Sequence, residues 1–358
     1  MELITIRVGG TSKVFSRGLP VGEILPEFSI NFSNGMFNLT SHGSSDFLVS
    51  FNHDPKIYNQ FIKSGGSRKK AVLIRMEPEA VYPAQFKKRV TDKYDLVITT
   101  GSPALSEGKF FSVNWPYKYH LNPASPNEND PDLYSILEKL RVTQEQTLFK
   151  WDKRKFLVTL IAGNKVSPSL NSNYKVRRTL ARQLEFSELK IFGPLWNDAF
   201  MVKLRHRLAV LYAATRSGTV SSPFGIYGNL LGRYSNAVGE VVDKHQIMKD
   251  SKYSLVIENS NFVITEKIFD AIINGSIPIY IGPELASFGI PMELAIEFNY
   301  KLSSVDEVIL KTTDQQAMHI LASGRNFLLD PNFKNRWSSD AVFGEISSLV
   351  KDYISRAS

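Results

Sequence analysis

Tyr253-Ser254-Leu255-Val256-Ile257-Glu258-Asn259-Ser260, then Asn261-Phe262-Val263, then Ile264-Thr265-Glu266-Lys267-Ile268-Phe269-Asp270, is the stretch on which the fold turns. Ser254 to Ile257 reads as a short buried strand. Three polar residues and a loop follow it, and a helix over Thr265 to Asn274 follows them, which Gly275 can end in the left-handed conformation. A strand that hands straight on to a helix is the repeating half-unit of a parallel α/β sheet. The helix start leaves free N–H groups that suit a phosphate, and Lys267 adds a full positive charge there. Glu266 beside it can hydrogen-bond sugar hydroxyls or, as a catalytic group, oppose the positive charge that develops at an anomeric carbon. A plainer reading stands equal on these residues alone: Thr265 caps the helix, Glu266 complements its dipole and Lys267 is solvated.

The same alternation extends on both sides. Ile277 to Ile281 returns to strand, with Pro278 expected to make it less regular than its neighbours. Upstream, Phe156 to Ala162 reads as a fully buried strand. A polar loop from Gly163 to Asn173, a helix over Tyr174 to Phe186 and a strand at Leu189 to Phe192 come after it. Ser304-Val305-Asp306-Glu307 spells a capping box, and Ala341 to Ser355 carries apolar residues at helical spacing, as in a docked terminal helix. The first 150 residues have a different texture, with strand-like runs such as Ala71–Met76 and Asp95–Thr100 between turn formers. Asp130-Pro131 to Lys139 reads as a connector that becomes helical. Residues 1–150 and 151–338 are therefore expected as two α/β domains, with 339–358 as a helix docking back on the fold. Sheets of this kind bind ligands off the carboxyl ends of their strands, so a ligand is expected in a cleft between the domains.

Composition narrows the chemistry. The 358 residues include no cysteine, which removes disulfide scaffolds, thiolate nucleophiles and Cys-ligated metal sites. Lys and Arg number 43 against 35 Asp and Glu, a net charge of +8 that calls for an anionic partner. The cations are spread along the chain without an aromatic–basic motif, so nucleic acid is not expected. Six scattered histidines show no metal-ligand spacing. The one Asp-x-Asp, Asp130-Pro131-Asp132, sits in a Pro-containing connector, so no obligatory metal or other cofactor is expected. No basic-then-apolar leader opens the sequence and no apolar run is long enough to span a membrane, which points to a cytoplasmic protein. Arg68-Lys69-Lys70 and Lys87-Lys88-Arg89 offer an anionic acceptor, or a membrane surface, a peripheral contact.

The string Glu258-Asn259-Ser260, Ile264-Thr265-Glu266-Lys267-Ile268, Ala271, Gly275-Ser276-Ile277-Pro278-Ile279, Gly282-Pro283 resembles the donor-site signature of the α-1,3/4-fucosyltransferases, glycosyltransferase family 10. About thirty residues agree densely, agreement thins over 155–300, and little of the N-terminal third agrees. The resemblance implies the GT-B architecture, two Rossmann-like domains facing an interdomain cleft. It implies an inverting glycosyltransferase that takes a nucleotide-sugar, GDP-fucose, and a glycan acceptor. By position it gives Glu258, Asn259, Thr265 and Lys267 to the donor, Arg177 to the diphosphate with Arg178 as alternate, and, more weakly, Lys244 to the donor. The Tyr227-Gly228 turn also resembles a family segment. The spacer Asn261-Phe262-Val263 is about two residues shorter than the family's and lacks its tyrosine, and that loop lies against the donor sugar.

Arg75-Met76-Glu77-Pro78-Glu79 follows a predicted strand and resembles the family segment whose glutamate is the catalytic base. Glu77 takes that role and Glu79 is its alternate. Desolvation at a strand end raises a carboxyl's pKa toward working pH, which is what a general base needs. A surface turn glutamate beside Pro78 is the plain alternative. Two other functions stay open: a GT-B enzyme using another GDP- or UDP-sugar, as in exostosin-like proteins, and a non-catalytic protein that binds glycans or polyanions.

Overall fold

The computed structural model describes residues 3–11, 21–32, 35–102, 106–119, 133–142, 151–183, 188–217 and 232–358. The Asp130–Asp132 connector and the Tyr227-Gly228 turn lie outside them. The chain forms two compact units, Met1–Pro116 with Asn335–Ser358, and Tyr117–Lys334.

The first unit holds β1 (Ile4–Gly10), β2 (Phe37–Thr40), β3 (Phe47–Phe51), β4 (Ala71–Arg75), β5 (Leu96–Thr100), β6 (Ser106–Glu107) and β7 (Phe110–Val113). They pair in the order β2-β1-β3-β4-β5-β7-β6, and every pairing is parallel except the antiparallel β6–β7 edge. All five residues of β3 and all five of β4 are buried, the mark of a parallel sheet covered on both faces. Helix α1 (Pro55–Lys63) starts where Asp54 accepts the N–H groups of Lys56 and Ile57, and it brings Phe61 against Leu48 and Leu73 on one face. At the switch between β1 and β3 the strands close tightly: a Cβ on Gly10 would fall 2.0 Å from the Phe51 carbonyl oxygen.

In the second unit, α2 (Leu133–Val142) precedes β8 (Phe156–Ile161), α3 (Tyr174–Gln183), β9 (Leu189–Phe192), α4 (Phe200–Ser217) and β10 (Ala237–Gly239). Next come α5 (Lys244–Lys249), β11 (Ser251–Ile257), α6 (Lys267–Ile273), β12 (Ile277–Ile281), β13 (Ile296–Glu297), α7 (Val305–Lys311) and α8 (Asp314–Leu329). The six strands are all parallel, in the order β10-β9-β8-β11-β12-β13. The first strand of this unit therefore sits beside its fourth, and the direction of winding reverses between β8 and β11. Pro278 does not disturb β12: all five of its residues are buried, and β13 pairs only with Ile279 and Tyr280, so no partner strand lies beside Pro278 on that side. Gly275, at φ 65, closes α6, and the Ser304–Glu307 capping box opens α7 with both reciprocal bonds.

The last helix, α9 (Ser339–Ala357), belongs to the first unit. Its Val342, Phe343, Ile346, Val350 and Ile354 fill the β-sheet face formed by Val49, Val72 and Ile74. The division falls at Pro116/Tyr117 and Lys334/Asn335 rather than at 150/151 and 338/339. Residues 117–150 carry α2, which packs on α8: the Arg325 guanidinium donates to the carbonyls of Leu140 and Arg141. No helix among the described residues is long and apolar enough to cross a membrane.

Candidate functional site

In a doubly wound sheet the carboxyl ends of the two strands at the switch point diverge and leave a crevice. Here those strands are β8 and β11, and β11 ends directly in Glu258 and Asn259. Glu258 is fully buried, an expensive place for a carboxylate unless it is paired and hydrogen-bonded. One oxygen accepts the Thr265 N–H at 3.0 Å, and the other accepts the Thr265 hydroxyl at 2.7 Å and the Lys267 ammonium at 3.1 Å. Lys267 also donates to the Thr265 hydroxyl at 2.5 Å. Thr265 thus turns its side chain to Glu258 and does not cap α6, whose N-cap, Glu266, makes no side-chain cap bond. Burial pushes the Lys267 ammonium down, but Glu258 and Glu266 outweigh it and hold its pKa above the ordinary lysine value. Burial likewise pushes Glu266 up, while Lys267 and Lys244 bring it below the ordinary carboxylate range, so it stays ionised.

Arg177 reaches the same strand end from α3. Its Nη2 donates at 2.8 Å to both the Ile257 carbonyl and the Asn259 side-chain oxygen, and its guanidinium lies 4.8 Å from the Tyr174 ring centroid. Nε is buried without an acceptor, and Nη1 makes no hydrogen bond among the described residues. Burial lowers its pKa, with Tyr174, Glu258 and Glu266 opposing. Arg178, the alternate, is turned away: its Nη1 donates to the Lys165 carbonyl at 2.8 Å, and burial with several neighbouring arginines brings its pKa down to about 10.

Lys244 is engaged elsewhere. Its ammonium lies 2.5 Å from Asp270 and is 5% exposed, beneath α6. Asp270 also accepts the Tyr117 hydroxyl at 3.1 Å; His245 stands 3.9 Å away and stacks on Tyr119 at 3.5 Å between ring centroids. Burial, the largest influence, raises the Asp270 pKa against the opposing charge of Lys244. Sequence reading missed Asp270, Tyr117 and His245. Asp270 carried one usable signal, an acidic residue one turn after Lys267 in an otherwise apolar helix.

The glycine of Gly282-Pro283 has a steric reason. A Cβ there would meet the Tyr280 hydroxyl at 2.3 Å and the Glu258 Cγ at 2.9 Å. The Tyr280 hydroxyl is buried with no hydrogen-bond partner among the described residues, and the residue lines a polar cavity of about 580 Å³ shared with Asn173, Asn261, Glu284, Asn299 and Lys301. A second cavity of about 660 Å³, between β13 and the helices α7 and α8, is lined by Glu293, Lys311, Gln316 and His319 together with Ile296 and Val308. The short Asn261-Phe262-Val263 spacer closes on itself, since Ser260 bridges Val263 directly and Phe262 is left 58% exposed.

In the first unit, Glu77 and Glu79 are both half-buried on the loop after β4. Asn52, at φ 59, accepts the N–H groups of Met76 at 2.9 Å and Glu77 at 3.0 Å, and the Gln85 amide donates to the Glu77 carbonyl at 2.7 Å. The loop that carries the expected base is thereby fixed through its backbone. Among the described residues no group of three His, Asp or Glu side chains is placed to hold a metal ion.

No protein-family profile and no curated protein sequence matches the chain. Among solved structures it is similar to Anabaena HepE in complex with UDP and glucose, at a TM-score of 0.51 and 11% identity, covering 98% of this chain and 100% of that one. It is also similar to an α1,3-fucosyltransferase, at TM-score 0.48 and 15% identity over 99% of this chain and 91% of that one. A glycosyltransferase from Rickettsia africae ESF-5 gives TM-score 0.48 and 12% identity over 99% of each chain. At these identities the likeness is one of fold. Two α/β units built on parallel sheets, together with the HepE likeness, give the chain the GT-B architecture.

Proposed function

We propose that the chain is an inverting glycosyltransferase that moves a sugar from a nucleotide-sugar to a glycan hydroxyl, with GDP-fucose as the donor that the signature resemblance gives. The observation that carries the reading is the buried Glu258–Thr265–Lys267 unit, with Arg177 against the same strand end, at the β8/β11 switch point. As the bond to the anomeric carbon breaks, negative charge grows on the leaving diphosphate. Lys267 is anchored from beneath by Glu258 yet keeps 18% of its side chain exposed, so its charge is aimed before the reaction starts. Arg177 offers Nη1 from a guanidinium whose other end is fixed. Each preorganised donor of this kind is worth about 3 kcal/mol in the transition state. Glu266, held ionised, takes the sugar hydroxyls, and the polar cavity beside Asn261 has room for the rest of the donor. Glu77, with Glu79 as alternate, removes the proton of the acceptor hydroxyl. The hydroxyl oxygen then attacks the anomeric carbon opposite the departing diphosphate, through an oxocarbenium-like transition state.

A second donor, another GDP- or UDP-sugar, is favoured by the closed Ser260–Val263 turn, which leaves no counterpart to the two residues and the tyrosine of the family loop. The test is thermal stabilisation by GDP and UDP, followed by product analysis over a panel of GDP- and UDP-sugars. Stabilisation by GDP that Arg177→Ala abolishes, with fucose transferred, is the expected result. Stabilisation by UDP alone selects the second donor. No response to any nucleoside diphosphate sinks the enzyme reading and leaves a non-catalytic polyanion binder. Glu77→Gln turning over at the wild-type rate dismisses Glu77 as the base.

A further inference from the structure

Arg75 is the last residue of β4 and more than nine-tenths buried, yet no carboxylate pairs with it among the described residues. Burial alone drives its pKa down to about 10, with no acidic neighbour to offset the loss of water. The one hydrogen bond of its side chain among the described residues is a long one, 3.4 Å from Nη1 to the Thr99 hydroxyl on β5, the residue opposite it in the strand register. Nε is enclosed without an acceptor, and the guanidinium rests on the Phe86 ring at 4.4 Å from its centroid. Nη2 makes no hydrogen bond among the described residues either. A buried cation with no counter-charge is destabilising unless something else supplies the charge.

We infer that Arg75, with the Thr99 hydroxyl, is an oxyanion-binding position at the carboxyl edge of the first unit's sheet, the edge at which α/β sheets take ligands. A carboxylate or phosphate oxygen supplies the missing negative charge and accepts from the open guanidinium N–H groups, with Phe86 fixing the guanidinium plane. The adjoining loop does not have to be ordered on binding, because Asn52 and Gln85 already hold its backbone. Where the proposed function holds, the first unit takes the acceptor, and the ligand is an acidic group of that acceptor, a uronate-type carboxylate or a sugar phosphate. Anion binding at Arg75 itself does not rest on that reading.

The test is thermal unfolding of wild type, Arg75→Met and Arg75→Gln in sodium glucuronate, inorganic phosphate and sodium chloride at matched ionic strength, with binding isotherms for the two oxyanions. Arg75→Gln keeps a donor for Thr99 and drops the charge, and it serves if the Met variant does not fold. The expected result is a rise in wild-type Tm with one of the oxyanions over chloride, lost in both variants, with affinity weakened about tenfold or more. The ligand-free Tm of a variant then lies at or above that of wild type, because an uncompensated charge has gone. A response to glucuronate assigns a carboxylate, and a response to phosphate alone assigns a phosphate. The proposal is overturned if neither oxyanion stabilises wild type beyond chloride, or if the variants respond as wild type does. It is also overturned if both variants melt lower without ligand, since Arg75 then serves the packing against Phe86. Loss of sugar transfer in other assays leaves these outcomes unchanged, so the two readings fail separately.

Discussion

The Lys267 ammonium lies 3.1 Å from the Glu258 carboxylate, and the two ends of that pair differ in exposure: Lys267 keeps 18% of its side chain in solvent and Glu258 none. The asymmetry makes the two deletions unequal. Lys267→Met strands a buried anion and should cost about 3–5 kcal/mol. Glu258→Gln leaves a lysine that can turn to water and an amide that still accepts from Thr265, and should cost less. Urea unfolding of the two variants decides it, and the reverse order would show that the pair is not organised around a buried carboxylate.

Lys244 and Asp270 are both buried at 2.5 Å, so neither end of that pair can find water when the other is removed. Lys244→Met alone should cost about 3–5 kcal/mol. The double variant Lys244→Met with Asp270→Asn, which keeps an acceptor for the Tyr117 hydroxyl, should regain at least half of that loss. A double-mutant cycle measures the coupling directly.

His53 gives a pH signature in the first unit. It is 3% exposed, its Nδ1 lies 2.7 Å from the Tyr94 hydroxyl, and burial, with Lys93 adding and Asp54 opposing, lowers its pKa to about 4. The unfolded chain takes up this proton first. Stability is therefore full above about pH 6.5 and falls as pH drops toward about 4, by about 3 kcal/mol in all. His53→Gln should flatten that part of the stability–pH curve, and an unchanged slope would assign the loss to other groups.

Two glycines should respond in opposite senses to alanine. Gly282→Ala drives a Cβ into the Tyr280 hydroxyl and Glu258 and should cost about 1–3 kcal/mol, weakening nucleotide binding with it. Gly344, inside α9, has nothing within 4 Å of a new Cβ, and Gly344→Ala should stabilise by about 1 kcal/mol through helix propensity. Thermal unfolding of both variants is the check.

The sequence by itself determined several elements of the second unit. Unbroken apolar runs such as Leu189–Phe192 and Ile277–Ile281 can only be satisfied inside a sheet covered on both faces, and Gly275 and the Ser304 capping box punctuate the helices locally. It also placed Glu258, Thr265 and Lys267 close together, because they lie within ten residues across a single strand–loop–helix turn. Strand order, the unit boundary at Pro116 and the sheet on which α9 docks were not written there, since each depends on contacts between residues far apart in the chain. Burial decided the individual charges. Lys244 and Lys267 look alike as letters, but one is spent on Asp270 beneath α6 and the other stands half-anchored at the strand end. Arg75 and Arg177 are likewise ordinary arginines in sequence. Only the packing around them takes away water: Arg177 keeps Glu258 and Glu266 near it without pairing with either among the described residues, and Arg75 is left with no carboxylate at all, a cation set to meet an anion from outside.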